Sequence, residues 1–117
     1  MLKISLSSRH FLCSILTSTI RCFRDRSRYL EAKADNLLYH AKPRLRTALQ
    51  CLDATNQIAT RLGSVSIPFL VVHGSADTVT DPAVSQALFD AAISTDKAIK
   101  IYDGAWHAIL AEPDGLT

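Results

Sequence analysis

The hydrophobic and polar positions fall into two kinds of pattern. Between residues 42 and 62, Leu45, Ala48, Leu49, Leu52, Ala59 and Leu62 recur at helical spacing on one side. The spacing predicts a helix over 42–62, with Pro43 in the first turn, where its missing N–H costs nothing, and Gly63 closing the end. Ile67-Pro68-Phe69-Leu70-Val71-Val72 follows as a nearly continuous apolar run rich in β-formers. Such a run predicts a strand buried on both faces, 67–72, with Pro68 at its start. Asp81-Pro82 predicts a helix start, with Asp81 as the cap. Val84, Leu88 and Ala91 give that helix, about 82–92, an inner face. A second short strand is expected at 98–102, ended by Gly104, and Ile109-Leu110 can begin another helix. The order helix, strand, helix, strand predicts a parallel α/β sheet with a right-handed crossover.

Composition limits the classes. The chain has 117 residues, enough for one domain, with 48% apolar and 21% charged residues, a soluble globular balance. The net charge of +2 is unevenly spread. Residues 1–30 hold six Lys/Arg against Asp25, and the remainder holds seven bases against ten acids. Three widely spaced cysteines, Cys13, Cys22 and Cys51, form no CxxC pair, so neither a disulfide framework nor a zinc site is expected, and a reducing compartment is the default. Phe11 to Leu16 is broken by Ser14 and falls far short of the roughly 20 apolar residues of a membrane span. Residues 1–24 contain no acid and several serines, a composition shared with organelle transit peptides, whereas arginines stand where a secretory cleavage site should lie. The expected division is a basic leader over 1–22 and a folded portion over 23–117. The expected location is cytoplasmic, with organelle targeting by the leader as the alternative.

The candidate chemistry lies just past the two strands. In open α/β sheets functional groups gather beyond the carboxyl ends of the strands. Asp77 follows the first strand by a few residues and His107 follows the second. If the strands are neighbours, both side chains rise from one sheet edge, where a carboxylate can fix a histidine's tautomer and support it as a general base. The bland alternative is a loop aspartate bonded to its own turn amides beside a half-buried structural histidine.

The segment from Ile67 through His73-Gly74-Ser75-Ala76-Asp77 to Asp81-Pro82 resembles the acid-bearing segment of monoacylglycerol-lipase-like α/β-hydrolases, including the plant caffeoylshikimate-esterase type. Asp96 to His107 resembles the histidine segment of that family, and Tyr39 to Ala48 the region where its cap returns to the core. The resemblance covers about 23–117 and implies the C-terminal portion of an α/β-hydrolase fold, the last parallel strands with their flanking helices. It implies that Asp77 is the acid and His107 the base of a serine-hydrolase triad acting on lipid or phenolic esters, without cofactor or metal. The family's G-x-S-x-G nucleophile elbow has no counterpart among Gly63, Gly74, Gly104 and Gly115. The expectation is therefore a chain inactive alone, or, in the rival reading, a non-catalytic α/β module engaged in protein–protein interaction.

Other residues are assigned more modest parts. His73 near Asp77 lacks a third metal ligand and is read as strand-end packing, and its H-x-x-x-D spacing is not an acyltransferase motif. Ser75 precedes no elbow and is not read as a nucleophile, while Trp106 is expected to pack rather than line an acyl pocket. Arg21 to Arg28 lacks aromatic interleaving, which argues for a solvated face rather than nucleic-acid binding and leaves peripheral membrane contact open.

Overall fold

A computed structural model describes residues 21–38, 41 and 44–113. Helix α1, Arg26–Ala34, starts at Asp25, whose carboxylate accepts from the Ser27 amide at 2.8 Å and the Ser27 hydroxyl at 2.9 Å. Helix α2, Leu45–Ala59, carries Ala48 as its buried residue. Strand β1, Phe69–Gly74, helix α3, Pro82–Ala91, and strand β2, Lys97–Tyr102, form a βαβ unit. The strands pair in parallel, with Phe69 opposite Lys97 and Gly74 opposite Tyr102. Beyond the strand end, the Ser75 amide donates to Tyr102 O at 2.9 Å, so the site loops leave a ladder that is still paired.

Helix α3 begins as the sequence reading has it. Pro82 opens the first turn, and the Asp81 carboxylate accepts from the Ala83 amide at 2.9 Å. Its far end is closed by Lys97, whose ammonium donates to Phe89 O at 2.5 Å and Ala92 O at 2.6 Å. A cation there meets carbonyls left without helical partners.

Three expectations are corrected. The first strand begins at Phe69, because Pro68 has no amide to give the ladder, and it runs on to Gly74. Its two faces differ: Phe69, Val71 and His73 are half-buried towards α3, whereas Leu70 is 66% and Val72 46% exposed. Among the described residues α3 is the helix packed on this pair of strands, so only one face is covered. Gly63 does not close α2. The helix ends at Ala59 with Thr60 as its right-handed cap, and Gly63 lies within a 3-10 turn, Leu62–Ser64. Pro43 and the leader over residues 1–20 lie outside the described residues. Ile109–Ala111 makes only a single 3-10 turn. Among the described residues no helix is long and apolar enough to cross a membrane, and Cys22 and Cys51 are free thiols.

The core is made of small groups. Ala48, Leu62, Ala92 and Ala105 are its buried apolar residues among those described. Ala105, fully buried, matters most for the site, because it packs against the end of β1. A Cβ at Gly74 would overlap the Ala105 carbonyl oxygen and stand 2.7 Å from Trp106 O, so only glycine lets the two strand-end loops come this close.

Candidate active site

Asp77 stands in the loop after β1 with its side chain 2% exposed. One carboxylate oxygen, Oδ1, accepts from the amides of Val79 at 2.7 Å and Thr80 at 3.0 Å. The bland alternative, an aspartate bonded to its own turn, is thus part of the geometry. The other oxygen, Oδ2, meets side chains. It accepts from Thr80 Oγ1 at 2.8 Å, lies 2.9 Å from His107 Nδ1 and lies 3.1 Å from His73 Nε2. The same carboxylate is anchored by its turn and engaged with one histidine from β1 and one from the loop after β2.

Burial pushes the Asp77 carboxyl up. The Thr80 amide, His107, the Thr80 hydroxyl and the Val79 amide together outweigh burial and hold it below the ordinary carboxylate range. Asp77 is therefore ionised near neutral pH and can only accept, which puts a proton on His107 Nδ1. His107 is 39% exposed, and among the described residues its Nε2 has no hydrogen-bond partner. A neutral imidazole in this tautomer presents a basic Nε2 to solvent.

The His107 loop is held from several sides. Gly104, with φ of 68°, turns the chain after β2, a left-handed conformation that favours glycine. On either side of His107, the Trp106 amide donates to Glu112 Oε1 at 2.5 Å and the Ala108 amide donates to Cys22 O at 2.9 Å. Arg24 Nη1 lies 4.0 Å from Glu112 Oε2 and 3.5 Å from Gly104 O. Residues 22–24 thus strap the loop that carries the histidine. Cys22 falls at the end of the expected leader, and its carbonyl is bonded into this loop. Burial, with the Asp77 carboxylate adding to it, pushes the Cys22 thiol up.

The structure brings Asp77 and His107 together at the carboxyl edge of the two strands. Ser75 is not at their meeting point. Its hydroxyl donates to Asp103 Oδ1 at 2.9 Å and accepts from the Gly104 amide at 2.8 Å, tying one loop to the other. Trp106 is half-buried. Reading the sequence did not find the bonds of His73, Thr80 and Ser85. For Thr80 a signal existed, since a residue three positions after a loop aspartate is within reach of its carboxylate. For His73, strand alternation puts it on the side of Phe69 and Val71, the side α3 covers, but nothing local names Ser85 as its neighbour.

Comparison with known proteins decides the family. The family described as serine aminopeptidase, S33, matches residues 7–114. The chain belongs to this family. The match begins at residue 7, inside the stretch set apart as a leader. The chain is 42% identical over 77 residues to the caffeoylshikimate esterase of Arabidopsis thaliana, covering 65% of this chain and 23% of that protein. It is 34% identical over 84 residues to the human monoglyceride lipase, covering 72% of this chain and 28% of that one. The fold matches the monoacylglycerol lipase of Paleococcus ferrophilus with a TM-score of 0.77 at 22% identity, over 84% of this chain and 38% of the other. The architecture is accordingly part of an α/β-hydrolase fold of the monoacylglycerol-lipase kind. The chain spans about a quarter of the length of the curated relatives named here.

Proposed function

We propose that this hydrolase chain supplies the acid and base of a Ser-His-Asp triad that cleaves carboxylic esters of lipid or phenolic alcohols. The observation that carries the reading is the contact of 2.9 Å between His107 Nδ1 and an Asp77 carboxylate whose other oxygen is fixed by two backbone amides. The substrate class follows from the relatives, which include a caffeoylshikimate esterase and a monoglyceride lipase.

His107 Nε2 takes the hydroxyl proton of a serine as its oxygen bonds to the ester carbonyl carbon. Asp77 stays ionised and stabilises the imidazolium. The carbon–oxygen bond to the alcohol then breaks, and the imidazolium returns its proton to the departing alkoxide. Water, deprotonated by His107, next releases the acid and regenerates the serine. No step calls for a metal or a cofactor. Because no G-x-S-x-G stands in the 117 residues, the serine comes from a segment outside them.

The test compares the chain alone with the chain joined to an elbow-bearing N-terminal segment of its plant relative. Both are assayed with p-nitrophenyl butyrate and a monoacylglycerol. The chain alone is expected to give no turnover above background. The joined protein is expected to turn over and to lose that activity in His107→Ala. A folded joined protein without turnover would overturn the triad reading in favour of a non-catalytic α/β module. Turnover by the chain alone, abolished in His107→Ala and accompanied by fluorophosphonate labelling of one of its own serines, would overturn the claim of an outside nucleophile.

A further inference from the structure

Asp77 is shared between two histidines, and the triad reading uses only one of them. His73 leaves β1 on the face covered by α3. Its Nε2 lies 3.1 Å from Asp77 Oδ2 and its Nδ1 lies 2.6 Å from Ser85 Oγ on α3. An ionised carboxylate only accepts, so Nε2 of His73 carries a proton. With the ring neutral, Nδ1 is an acceptor, and the Ser85 hydroxyl fills it. Both ring nitrogens are thereby engaged: the Asp77 carboxylate sets the tautomer, and Ser85, from another element, orients the ring.

We infer that His73 is a positioning residue for this site: its Nε2–H, oriented by Ser85, holds Asp77 Oδ2 in line with His107 Nδ1. The inference rests on the triad reading above. Its force comes from where each donor to Asp77 is rooted. The amides of Val79 and Thr80 and the Thr80 hydroxyl belong to the same loop as the carboxylate and move with it. His107 belongs to the second loop and is the group to be positioned. His73 alone among these donors is rooted in a paired strand, opposite Ile101, and is tied through Ser85 to a helix. A hydrogen bond from a rigid element fixes a site group more closely than one from its own loop. The groups around His73 are Asp77 and Thr80 from the loop, with the Thr80 carbonyl 3.3 Å from Nε2, and Ser85 from α3. His107 shares the same carboxylate oxygen, and Cys22 feels that carboxylate's charge.

The experiment reads the His107 ring by nitrogen-15 NMR in the 117-residue chain near neutral pH. Wild type is expected to show His107 in the Nδ1–H tautomer, with a downfield Nδ1 proton slow to exchange with water. In His73→Leu the tautomer should relax towards the mixture of a free imidazole. Exchange of the Nδ1 proton should quicken by roughly tenfold, the factor lost with one net hydrogen bond. His73→Gln, whose amide can donate from nearly the same place, should restore the wild-type signature, and Ser85→Ala should show a smaller loss. Asp77→Asn separates the two readings. If it leaves the His107 tautomer unchanged, the triad reading fails, and this inference fails with it. If Asp77→Asn abolishes the signature while both His73→Gln and Ser85→Ala keep it, and folded His73→Leu keeps it too, His73 merely packs. Should His73→Leu fail to fold, wild-type behaviour in Ser85→Ala alone would overturn the role given to Ser85 in orienting the ring.

Discussion

The carboxyl edge of the sheet and its open face are built on opposite terms. At the edge, Asp77, His73, Thr80, Ser85 and His107 are joined by polar contacts between 2.6 and 3.4 Å. On the face turned from α3, Leu70 and Val72 are apolar and largely in water. The same strand supplies both regions, with Leu70 and Val72 alternating with Val71 and His73. The difference teaches that the site's geometry is fixed by hydrogen bonding and close backbone approach rather than by a large core. Substitutions at the edge should therefore cost much and those on the open face little.

The heaviest loss is expected from Asp77→Ala. It leaves the Val79 and Thr80 amides and two imidazole N–H groups without their acceptor, and each buried donor left unsatisfied costs about 1–3 kcal/mol. Urea unfolding followed by circular dichroism would measure it, and a change below about 1 kcal/mol would break the contrast. Gly74→Ala comes next. Its methyl group meets the Ala105–Trp106 backbone, which cannot swing aside as a side chain would. Overpacking of that kind costs typically about 1–3 kcal/mol, and in the same unfolding experiment the His107 ring signals should shift as the two loops part.

Acidification should cost less than Asp77→Ala, because a protonated carboxyl keeps part of its bonding. The folded-state carboxyl of Asp77 is depressed, so its contribution is fully present above the ordinary value of 3.8 and is lost as pH falls through the lower folded value. The gap in unfolding midpoint between wild type and Asp77→Asn should be wide at neutral pH and should close as pH falls below the ordinary 3.8 and through the lower folded value. A gap that stays constant would separate the carboxylate's charge from its role in the site. The smallest effect belongs to Leu70→Ser, expected to change stability by no more than about 0.5 kcal/mol while improving solubility, read by light scattering. A large destabilisation there would mean that the open face is covered in solution.

The contrast also explains what could be read from the chain. The βαβ order, the cap at Asp81 and the two strand-end positions were legible because each rests on local spacing and turn chemistry. The pairing of Asp77 with His107 needed only that the two strands be neighbours. The exposed face of β1 was misjudged because an apolar run reports what a strand is fit to bury, not whether anything lies upon it. The contact of His107 with Asp77 and the strap from Cys22 and Arg24 onto the His107 loop join residues far apart in sequence. No periodicity encodes such meetings.

The lysine that closes α3 has a consequence for how the chain finds its pairing. Lys97 is the first residue of β2 and stands opposite Phe69, the first of β1. Its ammonium is held by two carbonyls at the end of the preceding helix. A strand slipped by one position would place that charge on the other face of the sheet, away from those oxygens. Lys97 therefore works as an index pin: it sets the phase of β2 at the strand's first residue, and His107, ten residues later, inherits its position from that setting.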